Sequence, residues 1–299
     1  MLAAILLILS SQSICSSGDS GKTPAGQAIS GRLLTPEYIA ENAFSMPFTC
    51  PSYPKRSFDF KDREFFIITY ETDIEALRKV IPEPLEIVEP IVKYEFIHMP
   101  SGSGLGSFFE SGQIIPVKFE EKEGTYVHSM YLNCMPAIVN GREIWGFPKK
   151  LGNPNLFLDR DILTGTLDYG QQRVALGTMG YMWKNLDTDE VRKSLSGPNF
   201  CLKIIPRADG TGAQICQLVR YHMKNLVVKE AWTGPVALQL FENALAPVAD
   251  LPVRKVLSGI YIKTDLSIAY GDVVYDYLKM QGQSLGKTAR KCKAKTIVH

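Results

Sequence analysis

Strand-forming segments follow one another through most of this 299-residue chain, with few helical patterns between them. That order argues against a doubly wound parallel sheet, in which each parallel strand needs a long crossover, and points to antiparallel pairing. Glu64-Phe65-Phe66-Ile67-Ile68-Thr69-Tyr70 is aromatic and β-branched, and residues 91–98 alternate in the same manner. Further strands are expected at 163–168, 172–178, 224–230, 236–241 and 258–264. Asn140-Gly141, between Ala137-Ile138-Val139 and Glu143-Ile144-Trp145, carries the strongest short hairpin signal. Asp209-Gly210 repeats that signal between strands at 202–205 and 215–219.

Helical patterns are short. Thr72-Asp73-Ile74-Glu75 reads as a capping box, in which the Thr hydroxyl and the Glu carboxylate each satisfy a free backbone N–H. Ile74, Leu77 and Ile81 follow at helical spacing and Pro82 closes the run. A second short helix is expected over 188–195. The expected fold class is therefore α+β and mostly antiparallel β, with a curved, barrel-like sheet and a few short helices. One domain is expected over 34–286. Residues 1–33 read as a signal peptide or linker and 287–299 as a solvated basic tail, both outside the fold. The apolar run at 2–9 is too short to span a bilayer, which needs roughly 20 residues, but fits the h-region of a secretory signal.

Charge and composition exclude several classes of function. With 33 basic against 31 acidic residues, the net charge of +2 gives no reason to expect nucleic acid or an anionic surface as partner. Six cysteines form no CxxC pair, and the four histidines are dispersed, so neither metal-site spacing nor a disulfide framework is present. Ser101-Gly102-Ser103-Gly104-Leu105-Gly106 lacks phosphate-loop spacing and reads as a flexible loop, in position to gate Glu110.

The segment Gly146-Phe147-Pro148-Lys149-Lys150-Leu151-Gly152 carries chemistry of another kind. Pro148 pushes Phe147 toward extended geometry. If the chain stays extended, Lys149 and Lys150 point to opposite faces, one inward and one outward. A solvated lysine, with a pKa near 10.4, leaves only about one amine in a few thousand neutral at pH 7. Burial in an apolar cavity can lower that pKa by about 3–5 units and free an amine to attack a carbonyl. From spacing alone, the pair reads as two solvated lysines in a loop after a hairpin. Met130 and Phe147 fit either a pocket wall or the core.

The motifs "DREFF" (62–66), "DIEALRKVIPEPLEI" (73–87), "GLGSFFESGQIIPV" (104–117), "GREIWGFPKKLGNP" (141–154), "GTLDYG" (165–170), "KIIP" (203–206) and "EAWTGPVALQLF" (230–241) together resemble the acetoacetate decarboxylase family, over about 36–279. The resemblance implies cofactor-independent release of CO2 from a β-keto acid. Lys149 would form a protonated imine with the ketone, and acetone would leave after hydrolysis. Lysine activation by desolvation or a nearby cation is an established property of that family.

Other residues carry over one at a time. Arg63 matches an arginine able to meet the substrate carboxylate. Glu110 matches the glutamate tied to the decarboxylation step, and Glu95 a second pocket glutamate that orders the site. Lys150 matches the second lysine, and the opposite-face argument gives it a supporting ion pair. Glu110 follows two phenylalanines, so a partner such as Arg63 would be needed if it is buried. The resemblance also implies a large homo-oligomer and a cytoplasmic location, with the N-terminal run leaving export open. Two alternatives remain: a Schiff-base aldolase or dehydratase of the same superfamily, and a noncatalytic binding protein on the same scaffold.

Overall fold

The computed structural model describes residues 33–279. The apolar run at 2–9, most of the linker behind it and the tail at 287–299 lie outside those residues. The chain divides into two compact units, the first ending at Phe44 and the second starting at Ser45. In the first, helix α1 (Pro36–Asn42) is capped by Thr35, whose Oγ1 accepts from the Tyr38 N–H at 3.2 Å. None of the described helices is long and apolar enough to cross a membrane.

Among the described residues, the second unit holds sixteen strands in two sheets. In chain order they are β1 (Phe58–Glu71), β2 (Glu86–Ile87), β3 (Ile91–Gly102), β4 (Gly106–Phe119), β5 (Lys122–Leu132), β6 (Lys149–Leu151), β7 (Asn153–Asp159) and β8 (Ile162–Tyr169). They continue as β9 (Gln172–Gly180), β10 (Lys184–Asn185), β11 (Asn199–Pro206), β12 (Ala213–Tyr221), β13 (Met223–Thr233), β14 (Val236–Leu240), β15 (Lys255–Ile268) and β16 (Asp272–Asp276). The long sheet runs β10-β13-β15-β1-β3-β4-β5-β11-β12-β16, with β2 beside β4 and β6 beside β5. The short one runs β14-β9-β8-β7. Pairing is antiparallel except where β5 meets β6 and β11. The long sheet is curved, but its path keeps two ends, so it does not close into a barrel.

The core lies between the sheets. Phe66, Ile68 and Tyr70 of β1 and Tyr94 and Phe96 of β3 are fully buried against Leu163, Leu167, Val174 and Met179 of the short sheet. Each such side chain contributes roughly 1.5–3 kcal/mol by leaving water. The Phe96 ring fills a hollow over Gly165 and Gly177, which face each other across β8 and β9. A Cβ on Gly165 would lie 2.3 Å from that ring, so only glycine admits it.

A β-bulge decides which residues face away from this core. Between Phe60 and Arg63, β1 carries an extra residue relative to β15, and Asp62 adopts a left-handed φ of 54°. Side chains alternate faces along a strand, and one extra residue inverts the parity. Phe58 and Phe60 therefore share a face with Arg63, Phe65 and Ile67. The bulge is pinned by Asp265, which accepts the Asp62 N–H at 2.9 Å, and by Lys229, which bridges Asp62 at 3.0 Å and Asp265 at 2.7 Å.

The remaining strands expected from sequence form, as does α4 (Thr188–Leu195), capped by Asp187. The Asp209-Gly210 turn joins β11 to β12, with Gly210 at φ 71° and Asp209 Oδ1 accepting the Thr211 N–H at 3.0 Å. Two local expectations are overturned. Asn140-Gly141 makes no hairpin: both residues are right-handed helical, ending α3 (Met135–Asn140) and opening a π-helical turn at Gly141–Trp145. Tertiary packing overrides the turn signal there. Trp145 packs edge-on to Phe58 and tilted against Phe147, and donates its Nε1–H to the Ala269 carbonyl at 2.9 Å. The capping box is also absent. Asp73, not Thr72, is the cap of α2 (Ile74–Arg78), and makes no side-chain bond to the helix. Its carboxylate is drawn to Arg254 at 2.9 and 2.6 Å, and the buried Thr72 hydroxyl has no partner.

Candidate active site

The π-helical turn ends at Gly146, whose φ of 81° reverses the chain against β11, so close that a Cβ would meet Lys203 Cα at 2.4 Å. Phe147 and Pro148 then lead into β6, which pairs in parallel with β5, Lys149 beside Met130 and Lys150 beside Tyr131. The two lysines part as strand geometry requires. Lys149 is 8% exposed and faces a cavity of about 410 Å³. Lys150 lies on the other side, half-buried over the Tyr169 ring, and donates to the Leu245 carbonyl. The expected ion pair for Lys150 is not among the described residues' salt bridges, because a backbone carbonyl takes its place.

Four charged side chains converge on the cavity, from separate strands: Arg63 of β1, Glu95 of β3, Glu110 of β4 and Lys149 of β6. All four are buried. Lys149 Nζ donates to Glu110 Oε1 at 2.8 Å and lies 5.0 Å from the Phe147 ring centre. Glu110 thus finds the partner its burial demands, but that partner is Lys149 and not Arg63. Arg63 instead lies over the Phe65 ring at 4.4 Å and the Phe60 ring at 5.5 Å, with its Nε unpaired. Its pKa is lowered by burial, against the upward pull of Glu110 and Glu95. Burial raises Glu95 to about 7, opposed by Arg63 and Lys93 and assisted by Glu110. Near neutrality Glu95 is therefore close to its titration midpoint, beside the buried guanidinium of Arg63.

Met130 and Phe147 line this cavity, and so does Leu105 of the glycine-rich loop. Among the described residues, no group of three His, Cys, Asp or Glu side chains is placed to hold a metal. Three residues of the site escaped the sequence. A Cβ on Gly141 would lie 2.6 Å from Lys149 Cδ and 3.2 Å from its Nζ, so that glycine makes the slot for the lysine stem. Asn140, 3% exposed, lines the cavity just before it. Both were hidden inside a dipeptide that reads as a turn. Tyr221, the last residue of β12, also lines the cavity, its ring edge-on to Phe147 at 5.1 Å. Nothing near Tyr221 in sequence signals that position.

Comparison with known proteins converges on one family. Residues 45–278 match the family model described as acetoacetate decarboxylase. The acetoacetate decarboxylase of Acidiphilium cryptum is 57% identical over 240 residues, covering 80% of this chain and 98% of the relative. That of Burkholderia cenocepacia is 53% identical over 245 residues, covering 82% and 99%. Among solved structures, the acetoacetate decarboxylase of Legionella pneumophila superposes with a TM-score of 0.76 at 44% identity, covering 84% of this chain and all of that one.

Proposed function

The chain belongs to the acetoacetate decarboxylase family, and from that premise we propose that it releases CO2 from acetoacetate through an imine on Lys149. Decarboxylation of acetoacetate is supported by relatives at 53–57% identity that span nearly their whole length. The covalent route is supported by one observation above others: the Lys149 amine, buried beside Glu110 at 2.8 Å, faces a cavity it shares with Arg63.

The steps follow from the positions of these groups. Arg63 meets the substrate carboxylate, a charge-assisted pairing that leaves the ketone near Lys149. Glu110 takes the ammonium proton, and the neutral amine adds to the ketone carbon. The carbonyl electron pair moves to oxygen, which picks up a proton as the nitrogen gives one up. The nitrogen lone pair then expels that hydroxyl, with one more proton, as water, and a protonated imine remains. The bond to the carboxylate breaks, its electron pair flows to the imine nitrogen, and CO2 leaves an enamine. A proton adds to the enamine carbon, with Glu95 the acid suited to neutral pH by its raised pKa of about 7. Water hydrolyses the new imine, freeing acetone and Lys149. Lys150 serves the site indirectly, by holding β6 to the Leu245 carbonyl.

Borohydride added during turnover of acetoacetate should leave a reduced adduct on the Lys149 peptide while CO2 evolves. Lys149→Met should abolish both signals. Lys150→Met should retain both within a few-fold, since it removes one exposed hydrogen bond. CO2 release at the wild-type rate with no lysine adduct would overturn the imine route. An adduct without CO2 would favour a Schiff-base aldolase instead.

A further inference from the structure

We propose that Tyr221 is a substrate-contacting residue, whose hydroxyl holds the keto oxygen of the bound β-keto acid and the hydroxyl group that oxygen becomes under attack by Lys149. This inference rests on the imine reading above.

The oxygen in question needs a particular partner. It starts as a carbonyl, gains electron density as the C–N bond forms, and ends as a hydroxyl that departs in water. A neutral donor that keeps its proton throughout stabilises each stage without adding charge to the cavity. The four charged groups already have other tasks: Lys149 attacks, Glu110 is bound to it, Arg63 suits the carboxylate and Glu95 titrates. A phenol supplies the missing donor.

Tyr221 meets the geometric requirements. Its side chain is 8% exposed and lines the cavity. Its ring stands edge-on to Phe147 at 5.1 Å, and the Phe147 ring lies 5.0 Å from Lys149 Nζ. Arg63, Glu95 and Glu110 all lie near enough to act on its charge, and burial pushes its pKa well above the ordinary value, so the hydroxyl stays a donor. None of the hydrogen bonds among the described residues engages that hydroxyl, whereas the more deeply buried Tyr70, Tyr94 and Tyr261 each have one; Tyr126 and Tyr131, likewise without one, lie outside this cavity. A donor left open on the wall of a cavity is placed for what enters it.

Tyr221→Phe keeps the ring and its contact with Phe147 and removes only the hydroxyl. The test compares acetoacetate turnover with capture of acetone on Lys149 by cyanoborohydride, because acetone has the keto oxygen but no carboxylate. Tyr221→Phe should slow acetone capture and lower kcat/KM for acetoacetate by the same factor, about tenfold, the worth of roughly 1.4 kcal/mol. Arg63→Gln should lower only the acetoacetate value. Acetone capture at the wild-type rate in Tyr221→Phe would overturn the proposal, as would an equal loss in Asn140→Leu with none in Tyr221→Phe. Failure of wild-type protein to capture acetone at all would instead remove the premise, the imine on Lys149.

Discussion

Strands β1 and β3 show two faces of opposite character. On one, Phe66, Ile68, Tyr70, Tyr94 and Phe96 lie against the short sheet with no exposure. Its polar atoms are satisfied within the protein: the Tyr70 hydroxyl donates to the Leu251 carbonyl at 3.0 Å, and Ser111 donates to the Tyr94 hydroxyl at 3.2 Å. At its rim, Glu64 and His98 are cross-strand neighbours paired at 2.7 Å. On the other face, Arg63 and Glu95 point into the cavity with Phe65 and Ile67 between them, and the Arg63 Nε has no partner. The same strands thus bury a closed, self-satisfied layer and an open one. The difference teaches how a site can keep charged, under-bonded groups in place: rigidity is supplied from the side packed dry against the short sheet.

The comparison can be broken from either side. The largest effect is expected from Phe96→Ala, which empties the hollow over Gly165 and Gly177 and should destabilise the fold by about 3–5 kcal/mol in denaturant titration. Activity per folded molecule should survive, because Phe96 faces away from the cavity. Gly141→Ala should do the converse. Its φ of −62° and ψ of −43° are helical, so alanine suits the backbone, but the added methyl displaces the Lys149 stem. Stability should change by less than about 1 kcal/mol while kcat falls about a hundredfold, as a misplacement of the order of 1 Å commonly causes. A drop in stability without loss of kcat would refute the slot.

A smaller effect separates the faces by pH. Glu95 binds its proton more tightly in the folded protein, at about 7, than in the unfolded chain, at 4.5. Its contribution to stability is therefore full below 4.5 and is lost as pH rises through 7. Unfolding free energy should decline across that window in the wild type, and Glu95→Gln should flatten the decline. An unchanged slope would place the carboxyl in a wetter setting than its burial indicates.

Much of this arrangement was readable in the chain, for reasons that differ by residue. Lys149 and Lys150 part because the chain stays extended beyond Pro148, paired with β5, and a strand alternates its side chains. The run at 64–70 announced a strand, but both its faces are apolar, so parity alone could not say which one met a cavity. Arg63 joins that cavity through a bulge at Asp62, a non-glycine residue that advertises no left-handed φ. Glu110 called for a partner, yet which cation answered depended on β4, β5 and β6 assembling side by side, a long-range event. Asn140-Gly141 failed as a turn because nearby Trp145 is held by Phe58 and the Ala269 carbonyl, which come from distant parts of the chain.

The bulge at Asp62 makes chain length itself a determinant of the site. Lys61 is exposed, where replacing one side chain by another is readily absorbed, while Asp62 is constrained by its left-handed φ and its bridge to Lys229. Loss of either whole residue is another matter, since it would restore an even ladder with β15. If Arg63 and the core beyond it kept their places, Phe58 and Phe60 would swing out of the cavity floor. If the two phenylalanines stayed, the arginine would turn into the dry layer. Along this stretch the site depends on the number of residues as well as on their identity.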